Sequence, residues 1–477
     1  MWNFLCGRLE KYPESLFFDD QHQYTYKDFT EKAKAVGACL QEKCAAKSKC
    51  AVLCDRGLNT ALAILACWCA NMIPIPMSKH YGRKHCANII ALTLPDILLT
   101  DTNDCDLFPF QYNIRNGKFI GEKPETSCDE NLEDIAVILC TSGTTGTPKG
   151  VLITEDGLQK NVQKIAQYFA VDSHDKIMIA RPLYHCAVLT GEFLIAIFNG
   201  LDIGFFDDKF HPQHTLQFAA RHNISVICGT PTLLHHLTVF LERNAAVHFI
   251  KTIAISGECL SEKTALHIRK GFPKADIYHV YGLTEASPRV SYLPPEAFDA
   301  HPTSVGVPLE GIQVKIIDED GAPLPANAHG HVFVNTPCLM RGYYKNKEAT
   351  RKAIVDGWLN TGDLGYLDEN GYLYILSRAD DMIIKSGMNI YPGEVEAQAT
   401  ELLQIRECVV YKIQANVGQA IAMDVILNPD YKETTKKELM ALLATVLPAY
   451  QMPSELNIVD ALRRNASGKI VRTGRAQ

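Results

Sequence analysis

Ile135-Ala136-Val137-Ile138-Leu139-Cys140-Thr141-Ser142-Gly143-Thr144-Thr145-Gly146-Thr147-Pro148-Lys149-Gly150 joins an apolar run to a loop of hydroxyls and glycines. The run Ile135 to Cys140 is predicted to be a buried strand. From Thr141 to Gly150, five hydroxyl side chains, three glycines and one lysine fall within ten residues. Glycines let backbone N–H groups close on an anion, hydroxyls donate hydrogen bonds, and lysine adds positive charge. That composition suits a polyphosphate. A Walker A loop is excluded, because Gly143 and Gly146 are three apart and Gly150 follows Lys149. No Gly-x-Gly-x-x-Gly dinucleotide turn follows the strand. Taken alone, the composition also suits an ordinary Thr/Gly-rich surface turn.

Outward from this stretch, strands alternate with helices. Toward the N-terminus the pattern predicts a helix over Phe29 to Leu40, a strand over Cys50 to Cys54, a helix over Leu58 to Cys69, and strands over Ile73 to Pro76 and Ile97 to Thr100. Toward the C-terminus it predicts a short strand over Val151 to Ile153. Thr154 then caps a helix that places Leu158, Val162, Ile165 and Phe169 on one face. Further strands are expected at Ile177 to Ala180, Ile224 to Cys228, Ile253 to Ile255 and Ile277 to Val280. Such alternation predicts a parallel α/β sheet. Asp368-Glu369-Asn370-Gly371 reads as a hairpin turn.

The 477 residues, 47% hydrophobic and 21% charged, suffice for two to four domains or subdomains. A net charge of −7 and a pI near 6.2 disfavour nucleic acid or an anionic membrane as partner. The sixteen cysteines form no Cys-x-x-Cys pair and no zinc-spaced cluster, which fits reduced thiols and a cytoplasmic setting. No signal-peptide pattern opens the chain. The most apolar run, Ala61 to Ala70, is too short to span a bilayer.

Three further motifs carry chemistry. Tyr281-Gly282-Leu283-Thr284-Glu285 offers a ring, a hydroxyl and a carboxylate. A single carboxylate is enough to hold Mg²⁺, although Thr-Glu in a loop is also a common helix N-cap pair. Asp363, in Asn360-Thr361-Gly362-Asp363, places an acid on a turn where it can accept both hydroxyls of a ribose. Lys469 stands in Asn465-Ala466-Ser467-Gly468-Lys469, which by itself could be an exposed turn.

With the Thr141 to Gly150 loop, these motifs resemble the adenylate-forming superfamily: acyl- and aryl-CoA synthetases, peptide-synthetase adenylation domains and beetle luciferase. The resemblance runs from the strand near Cys50 to Lys469. It implies an α/β fold in which a large N-terminal domain of α/β subdomains with a β-rich part (residues 1–379) precedes a small mobile α+β domain (380–477). It implies that Thr141, Ser142, Gly143, Thr144, Thr145, Gly146, Thr147 and Lys149 hold phosphates. Gly257, Glu258, Tyr281 and Gly282 would surround the adenine, with Thr284 at the α-phosphate, Glu285 on Mg²⁺, and Asp363 and Arg378 on the ribose. Arg181-Pro182-Leu183-Tyr184-His185 resembles the CoA-synthetase version of its segment, which implies a pocket of His185, Cys186, Cys228, Gly229, Ser256 and Leu283. For each of these a strand-end surface histidine or a tightly packed turn is the competing reading. Asp380 matches the hinge, Gly387 the thiol tunnel and Lys469 the catalytic lysine. Ser377 and Glu155 stand where the family usually has glycine and histidine.

No aspartate occupies Tyr184 to Leu189 to pair with a substrate ammonium, which disfavours an α-amino acid; Glu192 is the one nearby acid that could substitute. The small or apolar Cys186, Ala187, Cys228, Gly229 and Leu283 suggest an apolar or aromatic tail. The implied function is ATP-dependent activation of a fatty or aryl acid to acyl-AMP and transfer to CoA, giving AMP and pyrophosphate, with Mg²⁺ as cofactor. The alternative acceptor is the phosphopantetheine of a separate carrier protein. With Lys469 eight residues from the last one, no fused carrier is expected.

Overall fold

The computed structural model describes residues 1–78, 82–102, 107–122, 131–142, 148–243, 249–385, 388–414, 419–464 and 470–472. Its centre is a nine-stranded sheet. Six neighbours run parallel in the order Asp276–Gly282, Thr252–Ile255, Val226–Gly229, Lys176–Ile179, Asp202–Phe205 and Leu16–Phe18. Antiparallel strands Arg289–Leu293 and Gln23–Thr25 flank them. The parallel strands are almost fully buried and rich in Ile and Val, as expected of a sheet covered on both faces. Apolar clusters around Phe17, Phe29 and Phe193, and around Leu234, Ile268 and Phe272, cover it.

A second, five-stranded sheet contains Ile73–Pro76, Lys49–Leu53 and Ile97–Thr100 in parallel. The helix Gly57–Cys69 is buried along nearly its whole length, so the Ala61 to Ala70 run is core. The helix predicted over Phe29 to Leu40 extends over Tyr26–Lys43, because the Thr25 hydroxyl accepts from the Asp28 N–H and starts it earlier. Thr154 caps Glu155–Tyr168 in the same way, accepting from the Gly157 N–H at 3.0 Å, and Leu158, Val162 and Ile165 face inward.

The quoted stretch departs from strand-into-loop. Ile135–Ser142 pairs antiparallel with Pro148–Thr154, in register from Ile135↔Thr154 to Ser142↔Pro148. Gly342–Tyr343 adds a third strand, from nearly two hundred residues away. A β-rich sheet follows, built on Gln313–Ile317, Gly330–Asn335, Trp358–Leu367 and Leu373–Arg378, with the expected turn at Asp368. Beyond it, Ile383, Val395, Ile421, Leu439 and Leu443 form a core of their own around the sheet Ile405–Gln414, Gln419–Leu427 and Glu455–Ile458. Among the described residues no helix is long and apolar enough to cross a membrane.

Candidate active site

Four adjacent parallel strands deliver the expected residues to one edge of the large sheet. Lys176–Ile179 leads to Arg181 and His185, and Val226–Gly229 to Thr230. Thr252–Ile255 leads to Ser256, Gly257 and Glu258, and Asp276–Gly282 to Thr284 and Glu285. The carboxyl ends of parallel strands are where open α/β sheets bind ligands. Gly282 is required there. The register shifts at Tyr281/Gly282, and a Cβ on Gly282 would lie 2.1 Å from the Pro288 carbonyl oxygen. The bulge turns the following Thr284–Ala286 out as a short 3₁₀ helix. Gly257 has φ +97°, a conformation that side chains rarely adopt.

One group forms around Asp363. Its Oδ2 accepts from the Tyr281 hydroxyl, and its Oδ1 accepts from Arg378 Nη1 at 2.9 Å. Arg378 Nη1 also donates to the Thr361 carbonyl at 2.9 Å. Asp363 and Arg378 face each other across paired strands, which fixes the ion pair. Burial and the adjoining carboxylate push the Tyr281 hydroxyl well above its usual range, so it stays a donor.

A second group forms around Glu285. Tyr343 donates to Glu285 Oε1 at 2.8 Å, and Lys149 Nζ lies 5.0 Å from the centre of the Tyr343 ring. Burial raises the Tyr343 pKa, as does Glu285. Sequence reasoning gave Tyr343 no role, since nothing local shows that its strand pairs beside the loop. The Glu285 carboxylate keeps an oxygen with no hydrogen-bond partner among the described residues, which fits a hard cation that takes one or two protein carboxylates.

A third group lies among the residues expected around the acid. His185 precedes the short helix Cys186–Val188, and its ring is tilted by 46° against that of Tyr184, centroids 4.2 Å apart. Cys186 and Cys228 are buried, and burial pushes the Cys186 thiol up to about 12, so both are inert packing groups. Gly229 packs against Leu233 and Leu234, and Leu283 is half-buried. Charges sit beside these groups. Arg181 Nη2 donates to Glu192 Oε1 at 2.5 Å and to Ser256 Oγ at 3.2 Å. Glu192 is 1% exposed, on the π-helical segment Leu189–Leu194. Arg289 is 5% exposed, and its charge is felt by Glu192, Cys186 and Cys228. Glu192 is therefore engaged by arginine and is no free partner for an ammonium. A lone acid in the apolar run Ala187 to Phe198 was the signal for this cluster.

Some expected residues stand apart. Glu258 accepts from the Thr232 hydroxyl at 2.7 Å, at the start of the helix Pro231–Arg243. Thr141 lies half-buried near the end of its strand, opposite Lys149. Asp380 lies on the 3₁₀ turn Ala379–Asp381, where its carbonyl accepts from Lys412. The side chain of Ser142 and all of Gly143, Thr144, Thr145, Gly146, Thr147, Gly387 and Lys469 lie outside the described residues. The flanks of the lysine segment are tied down. Arg464 and Ile470 pair as an antiparallel bridge, and Arg472 Nη2 donates to the half-buried Glu396 at 2.8 Å.

The chain is similar to known proteins over nearly its whole length. The profile of the family described as AMP-binding enzyme matches residues 7–344, and that of its C-terminal domain matches 394–469. A 2-succinylbenzoate-CoA ligase of Bacillus velezensis is 28% identical over 494 aligned positions, spanning 98% of this chain and 96% of the relative. A long-chain-fatty-acid-CoA ligase of Bacillus subtilis is 34% identical over 352 positions, 71% of this chain and 61% of its own. The solved o-succinylbenzoate CoA synthetase of Bacillus subtilis, in complex with its acyl-adenylate intermediate, superposes with a TM-score of 0.87 at 26% identity, covering 99% of this chain and 97% of that one. With ATP and magnesium ion bound, the same enzyme gives 0.86 at 26%, covering 98% of each chain. The chain belongs to the AMP-binding enzyme family and is an AMP-forming acyl-CoA synthetase, an acid–thiol ligase that uses ATP, Mg²⁺ and CoA.

Proposed function

We propose that three groups on the carboxyl edge of the large sheet divide the work of acid activation. Asp363 and Arg378 hold the ribose, Tyr281 the adenine, and Glu285, Lys149 and the 141–147 loop the phosphates. His185, Cys186, Cys228, Gly229, Ser256 and Leu283 surround the acid. In the first half-reaction a carboxylate oxygen bonds to the α-phosphorus, the bond to the β-phosphate bridging oxygen breaks, and pyrophosphate leaves. Both reactants are anions, so the site must neutralise charge rather than supply a nucleophile. Mg²⁺ held by Glu285 would supply part of that positive charge. Thr284 donates at the α-phosphate, and Lys469 stabilises the charge that shifts between carboxylate and phosphate. In the second half-reaction the thiol sulfur of CoA bonds to the acyl carbon, and AMP departs with the bond electrons.

The convergence of Tyr281 and Arg378 on Asp363 carries this reading. A buried carboxylate with donors on both oxygens is held in one orientation, as a ribose clamp requires. We assign residues 1–379 to nucleotide and acid binding and 380–477 to a domain that swings about Asp380, exchanging Lys469 for the Gly387 loop between half-reactions. The separate apolar core of the C-terminal part supports independent movement. Every described cysteine is a free thiol, which suits a cytoplasmic setting.

Mass spectrometry of products tests the reading. The protein receives ATP, Mg²⁺ and a pool of short, medium, long and aromatic acids, with and without CoA. The expected result is an acyl-CoA only where CoA is present, with AMP in equal amount. Acyl-AMP that is never consumed by CoA would instead assign the thiol to a carrier protein.

A further inference from the structure

The Arg181–Glu192–Arg289 cluster is built, buried and incomplete. Two guanidiniums, which proteins do not deprotonate, face one carboxylate, so it carries net positive charge. Arg181 Nη2 donates to both Glu192 and Ser256, although its Nε is buried without a partner. Glu192 Oε2 and Arg289 Nε are buried without a hydrogen-bond partner, and the Arg289 guanidinium makes no hydrogen bond or ion pair with any described residue. An unpaired buried charge is strongly unfavourable.

Arg289 is also held in place. Its backbone N–H donates to Asn161 Oδ1 at 3.1 Å, and its carbonyl accepts from Asn161 Nδ2 at 3.0 Å. Gly191 gives its head group room: a Cβ there would lie 2.5 Å from Nη2. A glycine inside a helix costs about 1 kcal/mol relative to alanine, so this clearance has an energetic cost. The guanidinium sits among Gly191, Cys186, Cys228 and Glu192, that is, among the residues read above as surrounding the acid.

We propose that the acid bears a second carboxylate, distal to the one that is activated, and that Arg289 receives it. An ammonium would add to the positive charge. A purely apolar tail would seal the guanidinium away from water unpaired. A second carboxylate balances the net positive charge and gives the Arg289 donors their acceptor, with the Arg181–Glu192 pair beside it. This rests on the acid-ligase reading and deepens it by naming the substrate class.

The test compares matched pairs of aliphatic and aryl acids that differ only in a distal carboxylate or methyl group, reading AMP formation with ATP, Mg²⁺ and CoA. For at least one pair the wild-type kcat/KM should favour the diacid by about tenfold or more, and this needs no variant. Arg289→Met should lower diacid kcat/KM by about 10- to 100-fold, the range of a lost charge-assisted bond, while the matched monoacid stays within about threefold. Arg289→Lys should fall between. Wild-type preference for methyl-ended acids throughout would overturn the proposal and leave the ligase reading intact. Equal losses for both acids in Arg289→Met would also overturn it, since Arg289 would then hold the reacting carboxyl or the fold. No AMP from any acid would sink the ligase reading and the proposal together.

Discussion

Asp363→Asn removes a charge without changing shape, and its effect can be worked from two hydrogen bonds. Oδ1 accepts a hydrogen bond from Arg378 Nη1 at 2.9 Å, and Oδ2 accepts one from the Tyr281 hydroxyl. Asparagine keeps one acceptor and gains one donor. The acceptor should turn to Arg378, which cannot accept, so the amide must face Tyr281, whose hydroxyl has to reverse from donor to acceptor. A ribose then meets one neutral acceptor in place of two charged ones. Hydrogen bonds to a charged group contribute about 1.5–3 kcal/mol, and neutral ones about half. The loss is about 2–4 kcal/mol, or about 30- to 1,000-fold in kcat/KM for ATP. Stability should change little, because the Arg378 side chain is 50% exposed and such pairs contribute about 1 kcal/mol or less. Pyrophosphate release measured against ATP, 2′-deoxy-ATP and 3′-deoxy-ATP gives the readout. Wild type should discriminate against both deoxynucleotides, and the variant should lose most of that discrimination. A variant that discriminates as wild type does would refute the ribose assignment, however much activity it had lost.

Glu285→Gln should lower adenylation by about 10²- to 10³-fold and move the Mg²⁺ optimum upward; an unchanged Mg²⁺ titration would show that the cation sits elsewhere. Lys469→Ala should abolish adenylate formation yet spare thiolysis of supplied acyl-AMP, and equal loss of both steps, measured separately, would count against the domain swing. Stability should depend on pH through His279, which is fully buried, bonded through Nδ1 to the Ser304 carbonyl at 2.7 Å, and pushed by burial from 6.5 down to about 4. The unfolded chain binds this proton more tightly, so the stabilisation is whole above pH 6.5 and falls by about 3 kcal/mol as pH drops to 4. His279→Asn keeps a donor but cannot titrate, so chemical denaturation across that window should show a shallower slope; an identical slope would exclude His279 as the source.

Local patterns marked the elements that depend on neighbours in sequence. Ile73–Pro76 and Ile97–Thr100 fall on the predicted residues, because continuous apolar runs bounded by turns leave little choice. Thr154 starts its helix because a side-chain cap needs only the next three residues. The structure also brings Asp363, Arg378 and Tyr281 together, through a strand pairing that sets Asp363 opposite Arg378. Long-range pairing was not legible. Tyr343 reaches Glu285 because its strand joins the Pro148–Thr154 edge, and no periodicity around residue 343 reports that. Arg181, Glu192 and Arg289 come from the turn after a strand, a π-helical turn and an antiparallel strand next to the sheet's edge, so only the sheet order brings them together. The apolar tail suggested by Cys186 and Cys228 took account of small residues and not of these charges.

The hairpin setting of the proposed phosphate loop bears on where positive charge for a polyphosphate could come from. In a strand–loop–helix turn, the helix N-terminus brings about half a positive charge to the phosphates. Here the chain enters through Ile135–Ser142 and leaves through the antiparallel Pro148–Thr154, so no helix follows the loop directly. The next helix begins at Glu155, with Glu155 and Asp156 in its first turn, and the N–H of Gly157 is taken by Thr154. Its dipole is answered by its own side chains and is unavailable to a ligand. On the proposed reading, positive charge then comes from discrete groups: Lys149, which lies beside Tyr343, a cation that Glu285 would hold, and Lys469. Discrete charges can be removed as well as supplied. A fixed helix dipole would favour polyphosphate in both half-reactions, whereas a lysine carried on a second domain can leave once pyrophosphate has formed. The proposed exchange of Lys469 between half-reactions is thus the kind of arrangement that a loop built on a hairpin calls for.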